Sequence, residues 1–320
     1  MLEPKKPRRP RRLYKYRAFN NWTLDMLVLD RLHFSDPSTF NDPLDTRPSL
    51  KTDLKAEQLE RLLVQLAEQR ITSAMQANAH AIGYKGPKTI EHIARRTRRQ
   101  VLYMLDEIRY HASDPELAYP DPLKVIFGRA LQAELMLQYG KGIVSLAERP
   151  DCALMWSHYG DQHKGICVGY SVPKDAAKDV HQVAYDSSRL VSARDVDAML
   201  AGDETARRKV DRAVLLSKAP DWQYEREWRL IGERGSQSSP LELKEVVFGL
   251  RCGTTVRYAV IKALTDRRKS VKFYEISEKD GAFDLKKRLY DGDELLATFP
   301  KRSRDILEEF KPVKVTRGKT

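Results

Sequence analysis

Cysteine is scarce in this chain, and the three that occur, Cys152, Cys167 and Cys252, lie far apart. No CxxC pair or His-rich spacing accompanies them, so the sequence predicts neither a disulfide framework nor a zinc site, and we expect no metal. No apolar run approaches the roughly 20 residues that a membrane span needs. The N-terminus lacks the apolar stretch of a signal peptide, which favours a cytoplasmic protein with no membrane partner.

Several catalytic signatures are also missing. The sequence has no Walker A loop, no GxGxxG after a strand, no GxSxG elbow, no HExxH and no protein-kinase set. Phosphate-loop nucleotide hydrolysis, Rossmann redox chemistry and zinc-dependent hydrolysis are therefore poorly supported.

The chain carries a net charge of +12, but almost none of this excess lies in residues 18–299. Residues 1–17 carry +7 and residues 300–320 carry +4, which leaves +1 for residues 18–299. The prolines among the first twelve residues predict a disordered basic arm over 1–12, and 300–320 reads as a basic C-terminal tail. Such an arm attracts phosphates without sequence preference, and a solubilising tail is the alternative.

The densest cluster of unusual residues is the stretch 154–170, which holds one Trp, two His, two Tyr and three Gly. Its pattern predicts a helical turn with Trp156, His158 and Tyr159, followed by a strand over 166–170. Glycine at a strand entry often lets a backbone or ligand approach closely. Two interpretations stay open: a buried aromatic cluster, or one wall of a binding site.

An early stretch, residues 13–17, reads as a strand with Tyr14 and Tyr16 on one face. We predict that it meets the central stretch. The loop that follows the second strand, 36–45, is rich in Pro, Ser, Thr and Asx residues and therefore compact. Its polar side chains Asn41, Asp42 and Asp45 are candidates to point into a neighbouring site.

A late stretch, residues 224–231, alternates as a strand. Glu225 and Glu227 then share one face, about 6.5–7 Å apart, which suits an acid/base pair. Arg229 falls on the same face, and a plain ion pair of Arg229 with both carboxylates is the alternative. We predict that the early, central and late stretches together form one site.

The stretch between the early strands and the central motif has a different texture. Apolar residues at helical spacing predict helices over 54–81, 88–112 and 123–139, which form a helical insertion at about 52–140. On the second of these helices, Arg95 to Arg99 includes four arginines (95, 96, 98 and 99). They form either a solvated face or a phosphate-contacting face.

Strands and helices otherwise mix without a repeating βαβ unit. This favours an α+β fold: a split, mainly antiparallel sheet with flanking helices and the helical insertion, in a single domain over residues 13–299. A single helix is predicted over 193–217.

Four motifs carry a family resemblance. LYKYR stands at 13–17, FxxPxxFNDPxD at 34–45, an MWxHYxxxxxGxCxGY-like centre at 155–170, and KxxxWxxExEWR at 218–229. In this order they resemble a bacterial family catalogued as a domain of unknown function, number 2971. That family name carries no activity.

The layout is more distantly similar to ADP-ribosyltransferase folds. That resemblance implies Arg17 or Tyr16 at the first catalytic position and His158 or Tyr159 at the second. Glu227, preceded by Glu225, takes the third. The Ser-Thr-Ser strand of those folds is missing here. The implied catalytic residues are therefore Glu227, Glu225, Tyr159 and His158, and the implied NAD-binding residues are Tyr14, Tyr16, Arg17, Ser35, Asn41, Asp42 and Trp156.

The expected chemistry uses NAD as a substrate. A cation holds the pyrophosphate, an aromatic ring stacks on the nicotinamide, and a carboxylate stabilises the oxocarbenium-like centre as nicotinamide leaves. The expected function is transfer of ADP-ribose to a nucleic acid or a nucleic-acid-associated target, as a toxin or phage-defence effector with a partner protein or antitoxin. The alternative is a non-catalytic protein that binds nucleic acid through residues 1–12 and Arg95–Arg99.

Overall fold

The structure is a computed structural model that describes residues 9–84, 86, 88–186 and 188–301. Of the predicted basic arm, only residues 9–12 fall within this range, and of the predicted tail only 300 and 301. The remainder of both segments lies outside the described residues.

Helices make up a large part of the described chain. The helices are α1 (Asn21–Val28), α2 (Ala56–Ala81), α3 (Thr89–Ala112), α4 (Pro122–Gln138), α5 (Ala153–Tyr159), α6 (Ala193–Leu200), α7 (Glu204–Leu215), α8 (Thr254–Thr265) and α9 (Asp293–Thr298). None of the helices in the described ranges is long and apolar enough to cross a membrane.

Short strands alternate with these helices. The strands are β1 (Leu13–Arg17), β2 (Arg31–Phe34), β3 (Ser49–Lys51), β4 (Lys141–Ala147), β5 (Ile166–Ser171), β6 (Val180–Gln182), β7 (Ala184–Tyr185), β8 (Leu190–Ser192), β9 (Ser217–Lys218), β10 (Glu227–Glu233), β11 (Gly235–Ser238), β12 (Glu242–Phe248), β13 (Lys272–Glu278) and β14 (Leu285–Leu289).

The chain divides into two compact units, each built from several segments. Unit 1 comprises residues 1–32, 146–177 and 237–320, and unit 2 comprises 33–145 and 178–236. Because the segments interleave along the sequence, neither unit is a continuous domain. The single domain expected over 13–299 stays a prediction.

Five neighbouring strands of the largest sheet lie in unit 1, in the order β14-β13-β12-β5-β1. Only β12 and β13 run parallel, and the other neighbours are antiparallel. Leu13, Ile166 and Val168 are fully buried, so β1 and β5 contribute to the core of unit 1. This sheet places the early motif directly beside the central one, with Tyr16 opposite Cys167.

Unit 2 pairs helices with short strands. Leu59, Leu63 and Leu66 of α2 are buried with Phe127 and Leu131 of α4 in one apolar core. α3 adds Val101 and Leu105 to the same core, because its apolar residues recur at helical spacing. The strands β4, β10 and β6 lie in that order, with β10 and β6 antiparallel.

The predicted α+β class with mainly antiparallel sheet and flanking helices is confirmed. Helices α2, α3 and α4 occupy 56–138, close to the predicted ranges. The single helix predicted over 193–217 is wrong. Gly202 has a φ of +95°, and the side chain of Asp203 accepts hydrogen bonds from the backbone of Thr205 and Ala206, so a new helix begins there.

The strand predicted over 224–231 begins in the structure at Glu227, three residues later than predicted. Residues 220–225 form a short 3-10 helix that starts at Pro220, and Arg226 then adopts a left-handed conformation with a φ of 43°. β10 starts at Glu227. Glu225 therefore does not share a strand face with Glu227, and the predicted spacing of the two carboxylates along one strand is wrong.

Candidate functional site

The aromatic residues of the early and central motifs pack in the core of unit 1. Trp156 is fully buried, and its Nε1 donates to the carbonyl of Pro150 at 2.8 Å. The ring of Tyr16 meets it edge-on with centroids 5.1 Å apart, and the Tyr16 hydroxyl donates to the carbonyl of Arg149 at 2.8 Å. Each polar atom of this aromatic centre is thus satisfied by backbone, as buried aromatics require.

Tyr14 faces a charged pair. Its hydroxyl donates to Glu245 Oε1 at 2.8 Å, and Lys287 Nζ donates to the same oxygen at 2.6 Å. Gly169 lies between Tyr14 and Glu245 across three strands. A Cβ at that position would lie 2.5 Å from Glu245 Cγ, so the glycine makes the hydrogen bond possible. Burial, followed by Glu245, raises the pKa of Tyr14 well above its usual range.

The two candidates for the second catalytic position end α5. His158 is exposed and Tyr159 is half-buried, with ring centroids 6.1 Å apart. After them Asp161, Gln162 and His163 adopt φ values of 51°, 53° and 70°. Three successive non-glycine residues in the left-handed region are uncommon and costly. The backbone of Arg251 donates to the His163 carbonyl at 2.9 Å and helps hold this turn.

Five charged side chains meet inside unit 2, and we call them the charge cluster: Asp45, Lys218, Glu225, Glu227 and Arg229. Each is at most 8% exposed. Arg229 Nη2 donates to both oxygens of Asp45, at 2.8 and 2.7 Å, and Arg229 Nε donates to Glu227 Oε1 at 2.9 Å. Lys218 Nζ donates to Glu225 at 2.6 Å and to Glu227 at 3.3 Å.

The local backbone explains how these groups meet. The left-handed Arg226 turns the chain between Glu225 and Glu227, so that both carboxylates reach Lys218 from different elements. The hydroxyl of Tyr185 accepts the backbone N–H of Glu227 at 2.7 Å. Arg229 Nη1 donates to the carbonyl of Leu215 at 2.6 Å, which anchors the C-terminus of α7.

Burial and the two cations of the cluster shift the pKa values of Glu227 and Asp45 in opposite directions. Burial pushes the pKa of Glu227 upward, but Arg229 and Lys218 outweigh burial and bring that pKa down to about 2. Glu227 is therefore ionised at any physiological pH. Burial raises the pKa of Asp45 from its usual value, although Arg229 lies beside it, and the nearby Glu227 charge acts in the same direction.

The remaining predicted NAD-binding residues lie at the edges of these features. Arg17 is half-buried at the end of β1, and burial lowers its pKa. Ser35 exchanges backbone hydrogen bonds of 3.0 Å with Ile143. In the loop 36–45, Asn41 is exposed, and a carboxylate oxygen of Asp42 accepts from the backbone of Leu44 at 2.8 Å.

Two clefts open in unit 2. The α7 cleft has a volume of about 510 Å³ and the loop cleft about 400 Å³; Tyr139 and Leu215 line both. The polar lining residues of the α7 cleft include Lys141, Asp179, His181, Arg207 and Asp211, and its aliphatic lining residues include Leu66, Leu135, Met199, Leu200, Leu216 and Ile231. The loop cleft reaches Thr46, which directly follows Asp45 of the charge cluster.

Comparison with known proteins gives one match. The sequence model of a family described as "Protein of unknown function (DUF2971)" matches residues 155–230. Over this segment the chain is similar to that family. The match confirms the resemblance predicted from the motifs. No curated protein and no solved structure matches the chain.

The DUF2971 segment contains four of the five members of the charge cluster, and Asp45 of the FNDPxD motif supplies the fifth. Within unit 2, the structure thus joins two of the four motifs. Within unit 1, it joins the other two, since β1 pairs with β5. The predicted convergence of early, central and late stretches on one site stays a prediction.

Sequence reasoning missed Lys218 as a site residue and left Asp45 as a candidate only. Lys218 and Glu225 are only seven positions apart, so their pairing could have been expected from the sequence. The incorrect prediction of a strand over 224–231 hid it. The cleft residues Tyr139 and Asp211 carried no such signal, because they are 72 positions apart in sequence. In the part of the chain that the structure describes, no group of three or more His, Cys, Asp or Glu residues is arranged to hold a metal ion.

Proposed function

We propose that this protein is an ADP-ribosyltransferase-like enzyme that uses NAD and transfers ADP-ribose to a nucleic acid or a nucleic-acid-associated target. Such an activity suits a toxin or a phage-defence effector with a neutralising partner protein. The observation that carries the proposal is the state of Glu227. Arg229 and Lys218 of the charge cluster donate hydrogen bonds to Glu227 and lower its pKa to about 2, so it is ionised at neutral pH.

An ionised carboxylate is what cleavage of the nicotinamide–ribose bond needs. Positive charge develops on the ribose as nicotinamide leaves, and a fixed negative charge stabilises it without reorganisation. Glu225 lies beside Glu227 through their shared partner Lys218, which suits the proposed pair of carboxylates. Because Glu227 is only 3% exposed, the proposal requires that substrate binding uncovers it.

The test is incubation of the full chain with labelled NAD and either nucleic acid or cell lysate. We expect labelling by the wild-type protein and its loss in Glu227→Gln. Glu233→Gln, on the exposed end of the same strand, serves as the matched control and should keep wild-type labelling.

Removing one partner from a buried ion pair destabilises a protein, so each variant is checked for folding by thermal unfolding before use. Equal labelling by wild type and a folded Glu227→Gln variant would contradict the proposal.

A second candidate function is nucleic-acid binding without catalysis, and α3 favours it. Arg95, Arg96, Arg98 and Arg99 are all exposed. None of the four forms an ion pair with another described residue, whereas Arg109 of the same helix pairs with Glu60 at 2.6 Å. Unpaired arginines on one helix suit contact with phosphates.

This second function is tested by the salt dependence of binding to duplex DNA and to RNA. If the four arginines each neutralise one phosphate, replacing all four by Gln reduces the slope of log K against log salt by about 3 to 4. Deletion of residues 1–12 is the parallel variant for the basic arm. Binding that keeps its slope in both variants would rule out these surfaces.

A further inference from the structure

The α7 cleft combines the features of a nucleotide site. Its volume of about 510 Å³ lies within the range of roughly 300–1,000 Å³ for small-molecule sites. Its lining combines aliphatic residues such as Leu216 and Ile231 with charged and aromatic ones. This mixed lining suits a ligand that carries both a flat, mainly apolar base and charged phosphates.

Asp211 is placed to bind a sugar. One of its oxygens, Oδ1, accepts the Tyr139 hydroxyl at 2.6 Å. Burial and the neighbouring Asp211 raise the pKa of Tyr139 well above its usual range, so the hydroxyl keeps its proton and remains the donor. In the described residues, the second oxygen of Asp211 has no hydrogen-bond partner and can accept from a ribose hydroxyl, as acidic residues do in dinucleotide sites.

Two cations stand at the rim of the same cleft. Arg207 and Lys141 are both exposed. The charge of Arg207 is close enough to Tyr139 to act on its pKa. Its one ion pair in the described chain is the exposed contact with Glu204 at 3.6 Å, which is weak and readily exchanged for a phosphate.

The cleft and the charge cluster share one face of the β6–β10 pair. Arg229 lies opposite His181, and Ile231 follows two residues later on the same strand face. His181 and Ile231 line the cleft, and Glu227 lies on that face about 13 Å from Ile231 along the strand. An extended dinucleotide is long enough to span such a distance, whereas a single nucleoside is not.

We infer that the α7 cleft binds the ADP-ribose part of NAD, with the ribose hydroxyls on Asp211 and the phosphates on Arg207 and Lys141. This inference rests on the proposed function for the identity of the nucleotide. The charge cluster then also has a positioning role, because Arg229 holds the Leu215 carbonyl at the end of the helix that carries Asp211.

The test is isothermal titration calorimetry of the full chain with ADP-ribose. We expect one site per chain, and at least tenfold weaker binding in Arg207→Gln and in Asp211→Asn. The Asn variant keeps an acceptor for Tyr139 while it loses the charge. Arg208→Gln is the matched control: this neighbouring arginine of α7 does not line the cleft, and the variant should bind within twofold of wild type.

The outcomes separate the two ideas. Equal affinity in Arg207→Gln and wild type, or no heat change with millimolar ADP-ribose, overturns the cleft assignment. Unchanged transfer of label from NAD by both cleft variants also overturns it, while the proposed function stands. Binding that depends on Arg207 and Asp211 without any transfer supports the site and removes the enzyme.

Discussion

The aromatic centre of unit 1 and the charge cluster of unit 2 are both buried, but opposite forces hold them. In the aromatic centre, Tyr16 and Trp156 pack edge to face, and backbone carbonyls accept their polar hydrogens. In the charge cluster, three carboxylates share two cations within a few ångströms. The first arrangement pairs uncharged side chains, whereas the second depends on opposite charges that compensate one another.

This contrast separates packing from chemistry within one chain. Burying ion pairs stabilises a fold little, since the desolvation cost offsets much of the attraction. A cluster of five buried charges is therefore a poor choice for stability alone and a good candidate for function. The four predictions below test whether the two regions differ as their geometry indicates.

The largest effect is expected from Arg229→Met. The variant leaves Asp45 and Glu227 with Lys218 as their shared cation, so the free energy of unfolding should fall by about 3–5 kcal/mol. Urea unfolding measures it. Arg61→Met is the control, because the Arg61 side chain is 61% exposed and its pair with Asp197 is worth at most about 1 kcal/mol. Equal losses in the two variants would mean that the cluster is no different from a surface pair.

The second-largest effect is expected from lowering the pH, which should destabilise the charge cluster. The pKa of Glu227 is about 2 in the folded protein, below its ordinary value of 4.5. Its contribution, about 3 kcal/mol, is therefore complete above pH 4.5 and lost as the pH falls towards 2. Urea midpoints between pH 5 and pH 2.5 measure it. The wild-type curve should fall more steeply than that of Glu227→Gln, and parallel curves would show that Glu227 titrates normally.

The third variant, Gly169→Ala, tests whether the stability of unit 1 depends on close packing around this glycine. The new Cβ would meet Glu245 Cγ at 2.5 Å and Tyr14 Cε1 at 3.0 Å, so we expect a loss of about 1–3 kcal/mol in the free energy of unfolding. Gly253 is the N-cap of α8, where a Cβ meets nothing within 4 Å, and Gly253→Ala should cost less than about 1 kcal/mol. Thermal unfolding of both variants makes the comparison; similar melting temperatures would show that the sheet readily gives way at Gly169.

The smallest effect belongs to Tyr16→Phe. The change removes one hydrogen bond to the Arg149 carbonyl and keeps the ring against Trp156, so about 1 kcal/mol is expected. The loss should be the same at pH 5 and pH 2.5, because no group in this contact titrates there. A pH-dependent loss would contradict the view of this centre as neutral packing.

The sequence predicted elements well wherever local pattern decides structure. β1 was expected over 13–17 and spans those residues, and the three long helices follow their apolar spacing. The start of the late strand was predicted incorrectly. The alternating side-chain pattern of the sequence continues through Arg226, but the backbone of this residue is left-handed and interrupts the strand. Local pattern contains no sign of such a reversal.

Part of the candidate site could be predicted from the sequence. Glu225, Glu227 and Arg229 stand out in the sequence, but the bond from Arg229 to Asp45 joins residues 184 positions apart. Nothing in a single sequence pairs such distant residues. The cleft residues were invisible for the same reason, since ordinary amino acids become a site only when helices bring them together.

The pairing of β1 with a distant strand determines when unit 1 can fold during synthesis. β1 is synthesised well before its partner β5, since Leu13 pairs with Tyr170 near the middle of the given sequence. At a synthesis rate of roughly 5–20 residues per second, the early strand waits about 8–30 s for that partner. During this interval β1 lacks its β5 neighbour, so this part of the unit 1 core can close only after the middle of the chain has been made.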